Sequence, residues 1–301
     1  MSQLVWDKQG EKLYETGVSK GIFYPFDSTT NAYTKGIAWN GLTNVSENPE
    51  GGEPNPFYAD NKKYLNIFSV EEFKASITAY MYPDEFAECD GSKTAVKGVK
   101  IGQQKRKTFG LSYRTEIGSD TDGTKHGYKI HFVYGCTVTP SSKEYGTIND
   151  SPEPIEFSWD LDSIPVPVTK IPDCDDTSSV VVDSTDYTTE AEKALLKAFE
   201  NYIYGTNATP AVYMLTTDTT VNPAKTYYTR SGSEGSYTYS PVTNPTDDNL
   251  GTYFEKISEE IPDAEPAALP LPDEIITRLT PPVVLKKNNN KLGHNFNNFK
   301  K

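Results

Sequence analysis

The sequence predicts a mainly β protein: a β-sandwich or small barrel with a flanking α-helix and a small inserted β-rich module. Three observations lead there. Several runs alternate apolar and polar residues with a period of two, the pattern of strands that bury one face. Tyr (20) and Phe (13) are abundant and join Thr-rich runs that favour strands. One long stretch, Glu190–Tyr204, has instead the three- and four-residue spacing of an amphipathic helix.

The strongest strand covers residues 72–82, with Phe73, Ala75, Ile77, Ala79 and Met81 on one face and Lys74, Ser76, Thr78 and Tyr80 on the other. Before it, residues 17–25 read as a first strand with Val18, Ile22 and Tyr24 on one face, and residues 37–42, containing Trp39, as another. Residues 43–61 read as a long loop, because Pro49, Gly51, Gly52, Pro54 and Pro56 interrupt a regular strand. Loops of this length inside a compact domain usually signal function or disorder. The functional reading is an arm that orders only against a neighbouring subunit, with Phe57 and Tyr58 as aromatic anchors.

Residues 97–107 are basic (Lys97, Lys100, Lys105, Arg106, Lys107) and read either as a solvated loop or as a patch for an acidic loop on the next copy. Phe109, Leu111 and Tyr113 open the next strand, and the turn at 118–123 makes a hairpin into the strand 128–139. In that strand Tyr128, Ile130, Phe132, Tyr134, Cys136 and Val138 are expected on one face, with Lys129, His131 and Val133 on the other. Ile155, Phe157, Trp159 and Leu161 define a fourth alternating run, and Pro165 and Pro167 confine residues 164–168 to an edge or a linker. A short strand at 180–183 precedes the helix, which Thr188 or Thr189 caps and Gly205 ends. The apolar stripe of the helix reads as Ala191, Ala194, Leu195, Ala198, Phe199, Tyr202 and Ile203. A second helix, Pro272–Leu279, has Pro first and Asp273 and Glu274 in its opening turn.

The chain divides into three domains: residues 1–206 with 265–282, an inserted Thr-, Tyr- and Ser-rich module at 207–264, and a basic Asn- and Lys-rich tail at 283–301. In the module, Tyr227, Tyr228, Tyr237 and Tyr239 are either ordinary strand residues or a contact surface for sugar or protein. The tail is nearly free of apolar residues and reads either as disordered in isolation or as a basic tail that docks on an acidic partner.

The formal charge of −13 argues against a protein that binds the outside of DNA or an anionic membrane. Cys89, Cys136 and Cys174 are widely spaced and match no zinc motif; they read as reduced structural thiols of a protein made in a cytoplasm. Neither a secretory signal nor a membrane span is expected. His126, His131 and His294 stand near no nucleophile motif, and no phosphate-cradling glycine loop is present. The expectation is therefore a protein that is not an enzyme, with no catalytic residue, cofactor or metal.

Taken in order, Gly17-Val18-Ser19-Lys20-Gly21, Tyr24-Pro25, Ile37-Ala38-Trp39-Asn40-Gly41-Leu42, the segment 48–61, Phe157-Ser158-Trp159, Val182-Asp183-Ser184-Thr185 and Leu269-Pro270-Leu271-Pro272-Asp273-Glu274 form one pattern. It resembles the major tail proteins (tail tube proteins) of long-tailed phages of Gram-positive bacteria, over residues 10–206 and 265–280. The resemblance implies a virion protein, a sandwich or barrel whose hexameric rings stack into a hollow tube. Its partners would be further copies of itself, a tape-measure protein and DNA in the lumen, and terminator and distal tail or baseplate proteins at the ends. The family's inter-ring loop maps onto residues 43–61, and so onto Asn48, Pro49, Glu50, Gly51, Gly52, Glu53, Pro54, Phe57 and Tyr58. Lys74, Ser76, Thr78, Lys129 and His131 are candidates for the lumen wall. The alternative is a baseplate or receptor-binding protein that uses the inserted module on the exterior.

Overall fold

The computed structural model describes residues 5–148, 150, 153–207, 212–232, 237–258 and 265–281. With 43% strand against 14% helix, the chain is mainly β. Its principal elements are β1 (Leu13–Asp27), β2 (Leu42–Glu47), β3 (Pro54–Ala59), β4 (Lys62–Phe68), β5 (Lys74–Ala79), β6 (Phe109–Ser119), β7 (Gly123–Val138), β8 (Phe157–Asp162) and β9 (Ser179–Asp183). They are followed by α1 (Glu190–Tyr204), β10 (Val212–Leu215), β11 (Tyr227–Ser231), β12 (Thr238–Pro241), β13 (Phe254–Ser258) and α2 (Pro272–Leu279).

Two antiparallel layers share β7. In one, β1 pairs with β6, β6 with β7, and β7 with β9. In the other, the last residues of β7 pair with β8, β8 with β5, and β5 with β2. The layers close over a core of Phe23, Trp39, Ile77, Phe86, Leu111 and Trp159. Phe86 sits at its centre, with the rings of Trp39, Trp159, Phe23 and Phe109 all within 5.5 Å. On the far side of the first layer, Tyr24, Ile130, Phe132 and Tyr134 form a second core with Phe199 and Ile203 of α1 and Ile275 of α2.

The alternation of β5 is observed, with Ala75, Ile77 and Ala79 buried, but the strand stops at Ala79 and Met81 is exposed. In β7 the single expected face is corrected. Ile130, Phe132 and Tyr134 face the helices, whereas Cys136 and Val138 join Val133 in the sandwich core. The register against β6 slips between Leu111↔Val133 and Phe109↔Cys136. Gly135 lies there with φ +60°, and a Cβ on it would stand 2.3 Å from the Ile164 carbonyl oxygen. A bulge adds one residue and so exchanges the two faces. Likewise, irregular pairing between Thr16 and Ile22 turns Val18 toward the sandwich core while Ile22 and Tyr24 face the helices. The run 37–42 is broken: Ile37–Ala38 pairs with β1, and Leu42 opens β2. Ile155 lies before β8.

Helix α1 has the expected bounds. Thr189 accepts from the Glu192 amide at 3.3 Å, and Glu192 accepts in return from the Thr189 amide at 2.8 Å. Gly205 stands next with φ +77°, a conformation that ends helices readily only with glycine. The buried stripe is Leu196, Phe199, Glu200 and Ile203, so the expected stripe is rotated: Ala191, Ala194 and Ala198 do not belong to it, and Leu195 is half-buried. The fold tolerates Glu200 inside because Tyr128 donates a 2.8 Å hydrogen bond to it. Helix α2 also has the expected bounds, with Pro272 at its start. Strands β10 to β13 form a separate four-stranded sheet in the order β10-β13-β11-β12. The tail at 283–301 lies outside the described residues.

Candidate functional site

The expected loop at 43–61 is corrected. Residues 42–47 are β2, paired with β5, and β3 with β4 forms a hairpin outside the sandwich. Its turn is Asp60-Asn61, both with positive φ (+50° and +58°), between Ala59 and its partner Lys62. Asp and Asn tolerate this left-handed conformation, and a two-residue turn of this kind suits the twist of a hairpin. Pro54 and Pro56 do not break the strand. A two-stranded ribbon uses only every other N–H, and residues two apart share one phase.

This arm is exposed throughout: every residue from 47 to 72 is solvent-facing. Asn48 and Pro49 lead into it, and Glu50 and Gly51 pair with Glu72 and Glu71 at its root. Gly52 and Glu53 follow, and then the pairs Pro54↔Phe68 and Phe57↔Leu65. Phe57, Leu65 and Ile67 fall on one face, and Tyr64 and Phe68 on the other. Exposures of 51% for Phe57, 70% for Tyr58, 74% for Tyr64 and 66% for Phe68 show that the described residues cover neither face. An isolated two-stranded hairpin is marginal in water, and one with apolar residues on both faces is a template for association. The arm is anchored by Lys74, whose Nζ lies 2.5 Å from Glu50 and 3.9 Å from Glu72. The hydrogen bond from Lys74 to Glu50 raises the lysine pKa. Reading the segment as ending at residue 61 misses β4. The signal for it is Asp60-Asn61 between two aromatic- and β-rich runs.

The five proposed lumen residues do not share one surface. Lys74, Ser76 and Thr78 lie on the outer face of the second layer, beside Ser46, Asn44, Asp160 and Ser158 on the flanking strands. Lys129 and His131 share the phase of Val133, and so sit on the inner side of the first layer, at the mouth of the sandwich. There Lys129 pairs with Glu15 at 2.7 Å, and His131 stacks on Tyr113 at 4.6 Å between ring centres. Tyr113 donates to Glu47 at 2.5 Å, and Thr115 donates to Glu15 at 2.6 Å. Burial pulls the His131 pKa down, against the opposing pull of Glu47 and Glu15. Burial alone would raise Glu15, but hydrogen bonds from Lys129 and Thr115 outweigh it and hold its pKa low. These groups form a structural network at the base of the arm, in which the buried Nδ1 of His131 alone has no hydrogen-bond partner among the described residues, Glu47 standing 3.8 Å away.

In the module, Tyr227 is corrected from a surface contact to a core residue: it is 1% exposed, and its hydroxyl donates to Asp218 at 2.9 Å. Tyr228 and Tyr239 are half-buried in an aromatic cluster with Tyr213 and Phe254, in which Tyr213 and Tyr239 stack at 3.9 Å. Tyr237 is exposed, under the Arg230 guanidinium at 4.2 Å. Four aromatic rings and a guanidinium thus occupy one face of the small sheet.

A cleft of about 570 Å³ is lined by Lys20, Lys35, Tyr204, Thr206 and Glu265, with no His or Cys among the described residues that line it. Among the described residues, no three His, Cys, Asp or Glu side chains are grouped to hold a metal, and no helix is long and apolar enough to cross a membrane. No protein-family model matches the chain, and no curated protein matches it.

Proposed function

We propose that this chain is the subunit of a stacked tube, the tail tube of a long-tailed phage, and that the β3–β4 arm is the part that joins one copy to the next. The observation that carries this reading is the arm itself: a paired hairpin with apolar side chains on both faces and nothing among the described residues to cover them. Covering a side chain such as Phe57 or Phe68 stabilises by about 1.5–3 kcal/mol, whereas association costs roughly 4–15 kcal/mol. Several of Phe57, Tyr64, Leu65, Ile67 and Phe68 must therefore be covered together, which calls for a partner that clasps the whole hairpin. Another copy of the chain meets this need, and a head-to-tail contact of that kind generates rings or filaments.

The polar outer face of the second layer, with Ser76, Thr78, Ser158 and Asp160, supports a lumen wall past which DNA and a tape-measure protein slide. A net charge of −13 suits a conduit that does not release counterions from DNA. Terminator and distal tail proteins would cap the two ends, and the assembled tube would belong to the virion. A second reading, a receptor-binding tail protein, is favoured by the aromatic face around Tyr213, Tyr228 and Tyr239.

Negative-stain electron microscopy of the full chain at rising concentration tests the proposal. Hollow rings that stack into tubes are expected, and their loss when residues 54–68 are replaced by a two-residue turn. Closed oligomers that never stack, or tubes that form equally well without the arm, would overturn it.

A further inference from the structure

We infer that the arm of one copy docks on a second exposed hairpin, Lys93–Val96 with Val99–Ile101, of the next copy. This deepens the tube reading above and rests on it.

The segments that carry the two hairpins leave the same strand at opposite ends. Residues 48–73 join the end of β2 to the start of β5, whereas residues 80–108 join the end of β5 to the start of β6. Strand β5 has six residues, so it separates the two exits by about 20 Å. The arm thus leaves from one end of β5, and the second hairpin is tied to the exit at the other end, where its Lys100 pairs with Asp84 at 2.9 Å. Two such ends meet when copies follow one another head to tail, and that arrangement propagates.

Their chemistry is complementary. Residues 47–72 contain six acidic side chains against two basic ones, and residues 93–107 contain six basic ones and no acidic one. Within its own chain, Lys100 is held by Asp84 at 2.9 Å and Lys107 by Glu88 at 2.5 Å. Lys93, Lys97 and Lys105 are exposed and make no ion pair among the described residues. On the arm, Glu53 and Glu71 are likewise exposed and outside the Lys74 pairs. Each hairpin also offers exposed apolar side chains: Val96, Val99 and Ile101 on one, and Leu65, Ile67 and Phe68 on the other. The apolar residues supply the area to be buried. The opposite charges set direction and register, since like ends repel and unlike ends attract.

The test uses the full chain in two forms, one labelled with nitrogen-15 and one unlabelled, mixed and treated with a zero-length carbodiimide. Cross-linked peptides that join Lys93, Lys97 or Lys105 of one form to Glu53 or Glu71 of the other are expected. Lys93→Glu/Lys97→Glu/Lys105→Glu should lose them and raise the concentration needed for association at least tenfold by sedimentation, with an unchanged melting curve. Adding Glu53→Lys/Glu71→Lys to that chain should restore both. Association that depends on residues 54–68 but cross-links elsewhere, or that ignores the charge reversals, overturns this inference and leaves the tube reading standing. Association that persists without residues 54–68, or chains that stay monomeric throughout, overturns both.

Discussion

Thr206 and Glu265 exchange two backbone hydrogen bonds: the Thr206 amide donates to the Glu265 carbonyl at 2.9 Å, and the Glu265 amide to the Thr206 carbonyl at 3.1 Å. The chain therefore leaves the α1 side of the fold and returns to it at one point, and residues 207–264 hang from a closed pair. Replacing them with Asn-Gly should suit that pair, since two residues suffice to join a hydrogen-bonded antiparallel pair. The shortened chain is expected to melt within about 4 °C of the full one, the shift that roughly 1 kcal/mol produces in a domain of this size. It should still form tubes. A collapse of thermal stability in calorimetry would show that the module supports the sandwich.

Trp159 is the test of the sandwich core. It is fully buried among Trp39, Tyr82 and Phe86, with ring centres 5.2–5.8 Å away, and its Nε1 donates to Asp90 at 3.2 Å. Trp159→Ala should cost about 3–5 kcal/mol, read as a shift in the urea midpoint. A cost below about 1 kcal/mol would contradict this packing.

The thiols should differ in reactivity. Cys89 and Cys136 are buried and Cys174 is exposed. Burial pushes the Cys89 pKa up to about 12 and raises that of Cys136 as well. A thiol reacts as its thiolate, so one thiol per native chain should react with a disulfide reagent at pH 8, and three after unfolding. Reaction of all three in the native protein would contradict the buried positions.

His131 makes stability depend on pH. Its folded pKa lies below the unfolded value because burial disfavours the imidazolium and the Lys129 ammonium beside it adds to this, although Glu47 and Glu15 face it and pull the other way. The unfolded chain therefore takes up a proton first as pH falls below about 6.5. The stability contributed by the neutral ring is present above that pH and is lost as pH falls through the folded pKa. Between pH 7.5 and 5, the melting temperature of the wild-type chain should fall more than that of His131→Gln. Equal falls would place the pH dependence elsewhere.

Both helices are legible in the sequence because their ends carry chemistry of their own. Thr189 with Glu192 opens α1, Gly205 closes it, and Pro272 opens α2. The face of α1 is less legible, since three alanines and Leu195 look as apolar as the Leu196 stripe that tertiary packing selects. The alternation of β5 and β8 transfers directly to burial. That of β7 does not, because only the contact between Gly135 and Ile164 shows the bulge that exchanges its faces. The position of the arm is legible from its prolines and glycines, but those residues hide its pairing, which the Asp60-Asn61 turn determines. Tyr227 and Tyr239 look alike in sequence; a hydrogen bond to Asp218 and the ring of Tyr253 draw only the first into the small core.

Hydrogen exchange of the arm, followed by mass spectrometry as a function of protein concentration, tests the central claim most directly. In dilute protein the amides of residues 54–68 should exchange fast, because an uncovered two-stranded ribbon opens readily. In assembled protein the same amides should be protected at least tenfold, while those of β6 and β7 change little. Arm amides that exchange equally fast in dilute and assembled protein would contradict the assignment of the arm as the joint between copies.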